Sequence, residues 1–173
     1  MRTIVLLRHA KSSRDDPALA DFDRPLSPRG KRACKVVRAV MRQRAMRPDA
    51  VLASSSVRTA ETLRRISSQL GATPVVLLER GLYLASASKL LARLKRLDDA
   101  ASSVLLIGHN PGLQRLALLL AGRGKENLLA RLEEKFPTAA MAELAFPGAR
   151  WRELAPAAAE LVFLWSPRDG ESA

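Results

Sequence analysis

Hydrophobic residues in this chain come in two textures. One is the short unbroken run, seen in Ile4-Val5-Leu6-Leu7, Ala50-Val51-Leu52-Ala53, Pro74-Val75-Val76-Leu77-Leu78 and Val104-Leu105-Leu106-Ile107. None of these alternates with polar residues, which suits strands covered on both faces of a parallel sheet. The other texture is helical spacing between the runs. Ser27-Pro28 offers an N-cap followed by proline at the first helical position. From there to about residue 45, Ala33, Val36, Val37, Val40 and Met41 share one face, and Lys31, Arg32, Lys35, Arg38 and Arg42 the other. A second helix follows the 50–53 strand and runs to about residue 70, with Gly71 placed to stop it. A third, capped by Ser86 or Ser88, runs to about residue 97. A fourth takes Asn110 as its cap, Pro111 in its first turn and the apolar run 113–120, and ends at Gly122.

Strand followed by helix, four times over, predicts a parallel sheet with right-handed crossovers. The tail reads differently. A charged helix is predicted over 127–135, a strand through Met141, Leu144 and Phe146, a turn at Pro147-Gly148, a partner strand over 151–154 and a last strand over 160–165. The expected fold is therefore α/β. It has three α/β/α layers, with a mostly parallel central sheet and antiparallel edge strands near the C-terminus. Residues 1–173 are expected to form one domain.

Composition changes this picture in three places. The apolar share of 47% marks a globular chain. A net charge of +12 favours anionic partners without choosing among phosphoproteins, sugar phosphates, nucleic acid or anionic lipid. Arginine outnumbers lysine and alanine is abundant, so genomic base composition accounts for part of that excess, and the basic helix face reads as solvated. Aromatic residues are 4% with no stacking platform, so nucleic acid is not the expected partner. No apolar run reaches a membrane span, and no signal-peptide pattern precedes the first strand. One cysteine, Cys34, allows no internal disulfide, fits a reducing cytoplasm and is expected at a helix edge. The acidic stretch 15–23 lacks calcium-loop spacing and a nearby histidine, and reads as a solvated loop.

The candidate chemistry lies where the strands end. Ligands of open α/β sheets bind outside the carboxyl ends of the strands. Both of the chain's histidines sit there: His9 after Arg8, and His109 ahead of Asn110. Ser12 and Arg58 arrive at the same rim. Two guanidiniums and a helix N-terminus at Asn110 suit a dianion such as phosphate or sulfate. An imidazole between arginines is held neutral by like charge. Its lone pair can attack phosphorus to give a phosphohistidine, and the second imidazole can donate a hydrogen bond to the transferring phosphoryl group. No metal or other cofactor is expected.

Arg8-His9-Ala10 resembles the Arg-His-Gly signature of the histidine phosphatase superfamily, which has a phosphoglycerate mutase-like fold. Leu7-Arg8-His9-Ala10-Lys11-Ser12 resembles its SixA group of phosphohistidine phosphatases. The likeness continues through Asp23-Arg24-Pro25-Leu26-Ser27-Pro28-Arg29-Gly30, residues 54–62, Gly108-His109-Asn110-Pro111-Gly112 and Phe136-Pro137-Thr138-Ala139-Ala140. The resemblance implies His9 as the phosphorylated nucleophile. Arg8, Arg58 and His109 would complete the phosphate pocket, with Ser12 as an extra donor and Asn110 at its edge. The wider superfamily uses a carboxylate acid between the second and fourth strands, and Glu79 is the residue that could fill that place. SixA-like members lack a clear acid, which fits phosphohistidine as substrate, because a departing imidazole needs less proton donation than an alkoxide. The implied partner is a phosphorylated protein of the histidine phosphotransfer or phosphocarrier type, met by a cytoplasmic monomer. Two alternatives stand beside it: a phosphomonoesterase acting on small esters, and a phosphate- or nucleic-acid-binding module without catalysis.

Overall fold

Along β1 (Arg2–Arg8), Ile4 and Leu6 face one way and Val5 and Leu7 the other, and all four are buried. That two-sided burial is why the run shows no polar alternation, and it sets the layering of the domain. The computed structural model describes residues 1–72 and 74–167. After β1 come α1 (Pro28–Gln43), β2 (Ala50–Ser54), α2 (Val57–Ile66), β3 (Val75–Glu79), α3 (Ala87–Leu94), β4 (Ser103–Gly108) and α4 (Gly112–Leu120). They are followed by β5 (Ala121–Gly124), α5 (Glu126–Glu134), β6 (Met141–Phe146) and β7 (Ala159–Trp165). Among the described residues seven strands form one sheet in the order β3-β2-β4-β1-β6-β7-β5. The first four are mutually parallel, and β6 runs against both of its neighbours, β1 and β7. Val5, Leu7, Val51 and Ile107 pack with Val37, Met41, Leu63 and Ile66 of α1 and α2. Ile4, Leu6, Leu52 and Leu106 pack on the other side with Leu90, Leu116, Leu120 and Leu132 of α3, α4 and α5. This is the expected three-layer α/β/α fold with a mixed, mostly parallel sheet.

The parallel registers position the site. Arg8 pairs with Gly108, and Ala53 with Ile107. The carboxyl ends of β1, β4 and β2 are therefore level, and the residues just beyond them meet.

Several local expectations need correction. Cys34 is not at a helix edge: Gly30, Cys34, Val37 and Met41 form the buried stripe of α1, whereas Val36 is 44% exposed. Burial pushes the Cys34 thiol up to about 11, which removes it from nucleophilic chemistry. Strand β3 is not covered on both faces, since Val75 is 61% and Leu78 52% exposed at the sheet edge. Ser86, not Ser88, caps α3 by accepting from the Lys89 N–H. Helix α4 starts at Gly112 with Pro111, not Asn110, as its cap, and stops at Leu120. The next residues pair with β7 as strand β5, which the sequence Ala-Gly-Arg-Gly, without an apolar run, gave no sign of. The segment 151–154 is not a strand. Trp151–Glu153 is a 3-10 turn whose fully buried indole donates to the Ala101 carbonyl at 2.8 Å, with the Arg2 guanidinium 5.0 Å from the ring centroid. Asp99 accepts the Trp151 N–H at 2.8 Å. The tryptophan is thus pinned by side-chain and loop partners instead of a ladder.

Gly30 packs α1 onto the loop that leaves His9. A Cβ there would sit 2.1 Å from the Lys11 carbonyl oxygen. In an ordinary helix interior Gly→Ala stabilises by about 1 kcal/mol. Here Gly30→Ala is expected to destabilise by about 1–3 kcal/mol through the forced backbone shift. Urea unfolding reads the sign directly.

Candidate active site

The site is assembled from three strand ends. His9 follows β1 and donates its backbone N–H to the Gly108 carbonyl at 3.1 Å, locking it to the end of β4. Its Nδ1 lies 2.8 Å from the Ala10 carbonyl oxygen. A carbonyl can only accept, so Nδ1 carries the proton and Nε2 keeps the lone pair. Arg58, in the first turn of α2, donates its Nε–H to that Nε2 at 3.3 Å. His109 follows β4, its ring centroid 5.0 Å from that of His9. Its Nδ1 is 3.4 Å from Arg58 Nη2. Its Nε2 lies 2.8 Å from Ser54 Oγ and 3.4 Å from both Ser56 Oγ and Thr59 Oγ1, hydroxyls that are fully buried. Arg8 donates through Nη1 to the Phe136 carbonyl at 2.9 Å, while its buried Nε–H has no protein acceptor. A buried donor left unpaired is costly, and an anion in the pocket would satisfy it.

Burial lowers the His9 pKa to about 3, helped by His109, Arg58 and Arg8 and opposed by the Ala10 carbonyl. His109 falls to about 4, first through burial, then through Arg58, with Asp21 opposing and Arg8 adding to the fall. Both imidazoles are therefore neutral at pH 7, the form that can act as nucleophile and neutral donor. Arg8 is lowered as well, by burial and then by Arg58.

The four residues Arg8, His9, Arg58 and His109 come together as expected. Ser12 is buried, and its Oγ accepts from Arg24, which also holds Asp21. Asn110 is turned elsewhere: its amide donates to the Phe136 carbonyl at 2.9 Å and to Gln114 Oε1 at 3.2 Å, leaving its buried Oδ1, an acceptor, unpartnered. Glu79 is held by Arg93 of α3, whose Nε reaches both carboxylate oxygens and whose Nη2 reaches Oε1 at 2.7 Å. The carboxylate that does reach the pocket is Asp21. Its Oδ2 accepts from Arg58 Nη2 at 3.0 Å and from the Tyr83 hydroxyl, its Oδ1 from Arg24 Nη1 at 2.7 Å, and its backbone carbonyl from Arg58 Nη1. Tyr83, then Arg58 and Arg24, hold it down to about 2 against a partial burial penalty. The loop read as merely solvated thus folds back over Arg58. The sequence gives no sign of Asp21, Arg24 or Tyr83 at the site; the hydroxyls after β2 are visible in it beside Arg58, but not that Ser54, Ser56 and Thr59 surround His109 Nε2. Among the described residues no three His, Cys, Asp or Glu side chains cluster to hold a metal ion. No helix among them is long and apolar enough to cross a membrane.

Residues 4–81, which carry His9 and Arg58, match the model of the histidine phosphatase superfamily, branch 1. An uncharacterized protein of Mycobacterium tuberculosis is 36% identical over 164 residues, covering 94% of this chain and all of that protein. A Nakamurella multipartita structure described as a candidate phosphohistidine phosphatase SixA is 31% identical, with TM-score 0.79 over 96% of both chains. This chain belongs to the histidine phosphatase superfamily. An Agrobacterium tumefaciens structure described in the same terms, at 26% identity, has TM-score 0.80 over 96% of this chain and 98% of that one. The fold is thus that of the SixA-like histidine phosphatases.

A histidine phosphatase pocket of this kind makes a pH prediction. Because both histidines have pKa values below the ordinary 6.5, the unfolded chain binds more protons between pH 6.5 and about 3. Stability is therefore expected to fall as pH drops through that window. With two histidines in the chain, proton NMR should show two imidazole signals that do not titrate above about pH 5. A signal titrating near 6.5 would contradict this.

Proposed function

We propose that this superfamily member is a phosphohistidine phosphatase that works through a covalent intermediate on His9. The observation that carries the reading is the His9 ring. Its Nδ1–H is fixed on the Ala10 carbonyl, so Nε2 faces the pocket with a lone pair beside two guanidiniums and a second imidazole. A phosphoryl dianion entering there takes the free Arg8 Nε–H and draws Arg58 Nε–H off the nucleophile. His9 Nε2 then bonds phosphorus as the leaving group departs, and water hydrolyses the phosphoenzyme. In this arrangement Arg58 Nη2, which can only donate, makes His109 Nδ1 an acceptor and leaves Nε2–H toward Ser54. Once the dianion takes that guanidinium hydrogen, His109 serves as donor in its Nδ1–H form, with Nε2 accepting from Ser54, whose hydroxyl can rotate to suit either tautomer. Ser12 retains its hydroxyl hydrogen for a phosphoryl oxygen while its oxygen accepts from Arg24.

Two carboxylates support the substrate class. Glu79 is committed to Arg93, and Asp21 is ionised with a pKa of about 2. Neither is poised to protonate an alkoxide, and a phosphoramidate needs no such acid. The descriptions of the Nakamurella and Agrobacterium structures support the same class. The partner would be a phosphohistidine-bearing protein of the phosphotransfer or phosphocarrier type. Helix α1 carries Arg29, Lys31, Arg32, Lys35, Arg38 and Arg42 and no acidic residue, a face that would steer an acidic partner.

The test compares the parent with His9→Ala on a phosphohistidine protein and an aryl phosphate, in chelator. The parent should clear phosphohistidine faster than the ester, and His9→Ala should lose about a thousandfold or more on both. Preference for the ester would favour a phosphomonoesterase. Salt-sensitive nucleic-acid binding without turnover would favour a binding module.

A further inference from the structure

The 3-10 turn Asp21–Asp23 between β1 and α1 lies across the pocket, and its Asp21 side chain is about half exposed, at 48%. Most of Arg58's hydrogens are spent in this arrangement. Nε is on His9, Nη1 on the Asp21 carbonyl, and Nη2 is shared by Asp21 Oδ2 and His109 Nδ1. A phosphoryl dianion between the two imidazoles can take the Nε–H and the Nη2–H that now face them, while Nη1 and the other Nη2–H stay on Asp21. The Asp21 carboxylate thus stays on the solvent side of the buried guanidinium, beside two aromatic rings. Tyr83 meets the His109 ring edge-on at 5.3 Å, and Phe22 meets Tyr83 edge-on at 4.9 Å. Tyr83 also donates to the Asp21 carboxylate, so the half-exposed carboxylate and this ring edge the pocket together.

An ionised carboxylate there offers nothing to an alkoxide or phenoxide, since it has no proton to give and repels negative charge. A protonated imidazole gains from it. Its second ring nitrogen is a cationic N–H donor for that carboxylate, whereas the neighbouring rings already carry guanidiniums, Arg80 4.6 Å over Phe22 and Arg58 5.7 Å over Tyr83.

We propose that Asp21, flanked by Tyr83 and Phe22, selects a substrate whose phosphorylated group is a cationic nitrogen-linked ring, a protonated phosphoimidazole, over a phosphate ester. This rests on His9 acting as nucleophile. The His9 Nε2 lone pair forms the new N–P bond, and the P–N bond of the substrate breaks. Its electron pair returns to that ring nitrogen. The substrate ring departs as neutral imidazole, because the proton it held on its other nitrogen, donated to Asp21, stays with it. No proton has to be delivered, so no general acid is required.

The experiment measures kcat/KM of the parent and Asp21→Asn for N-phosphoimidazole and for phenyl phosphate, after equal urea midpoints establish equal folding. The variant should lose about tenfold on phosphoimidazole, the worth of one charge-assisted hydrogen bond. It should gain on phenyl phosphate, because the amide removes a negative charge beside the departing phenoxide. Equal losses on both substrates would make Asp21 a mere brace for the loop and overturn the proposal. Gains on both would make it only a plug, and no change on either would make it a bystander; both outcomes overturn the proposal too. A parent inert on both substrates would defeat the phosphatase reading itself. A parent active on phosphoimidazole without the opposite shifts would defeat the role of Asp21 alone.

Discussion

A guanidinium buried to 4% exposure, that of Arg58, is the constraint on which the site depends. A cation withdrawn from water survives only if its N–H groups and its charge are answered nearby. The first turn of α2 delivers Arg58 between the two imidazoles, and the loop after β1 brings Asp21 to it. The same charge acts on its neighbours. It helps keep His9 and His109 neutral, the state in which they can take the proposed parts of nucleophile and donor in place of two further cations. Charge balance, nucleophilicity and loop position are therefore one arrangement, and a change at Arg58 propagates to all three.

The fold serves that arrangement through register. Strands β1, β4 and β2 end level because their parallel ladders leave no room for slippage: both faces of each are buried, and a shift by one residue would turn Leu6 or Leu106 into the wrong core. Gly30 and Gly112 let α1 and α4 approach the backbone beyond those ends, where a Cβ would meet the carbonyls of Lys11 and Ala85 at 2.1 and 1.9 Å. Precision at the pocket thus comes from the sheet, and closeness of the covering elements from two missing side chains.

What was legible in the sequence follows from the same physics. The apolar runs of β1, β2 and β4 declare two-sided burial, and their ends declare the site, so Arg8, His9, Arg58 and His109 could be read as a group. Strand β5 could not, because Ala-Gly-Arg-Gly pairs by backbone alone at an edge. Trp151 resembled part of a strand because its anchors, the carbonyl of Ala101 and the carboxylate of Asp99, are distant in sequence. Along α1, positions 30, 34, 37, 40 and 41 are buried, so Cys34 is covered and Val36, one step round the helix, is exposed; the small apolar residues of this helix do not show that rotation in sequence. Asp21 was hidden for a different reason. An aspartate in a polar loop looks solvated until the fold brings Arg58, Arg24 and Tyr83 to it from three other places in the chain.

The central claim is that phosphorus passes through His9. A single-turnover reaction with a phosphohistidine-bearing protein, quenched in alkaline denaturant and mapped by mass spectrometry, tests it most directly. The account predicts a transient phosphoryl group on the peptide that contains His9, absent from His9→Ala. Product formation with no such intermediate, or a phosphoryl group trapped on another residue, would contradict it.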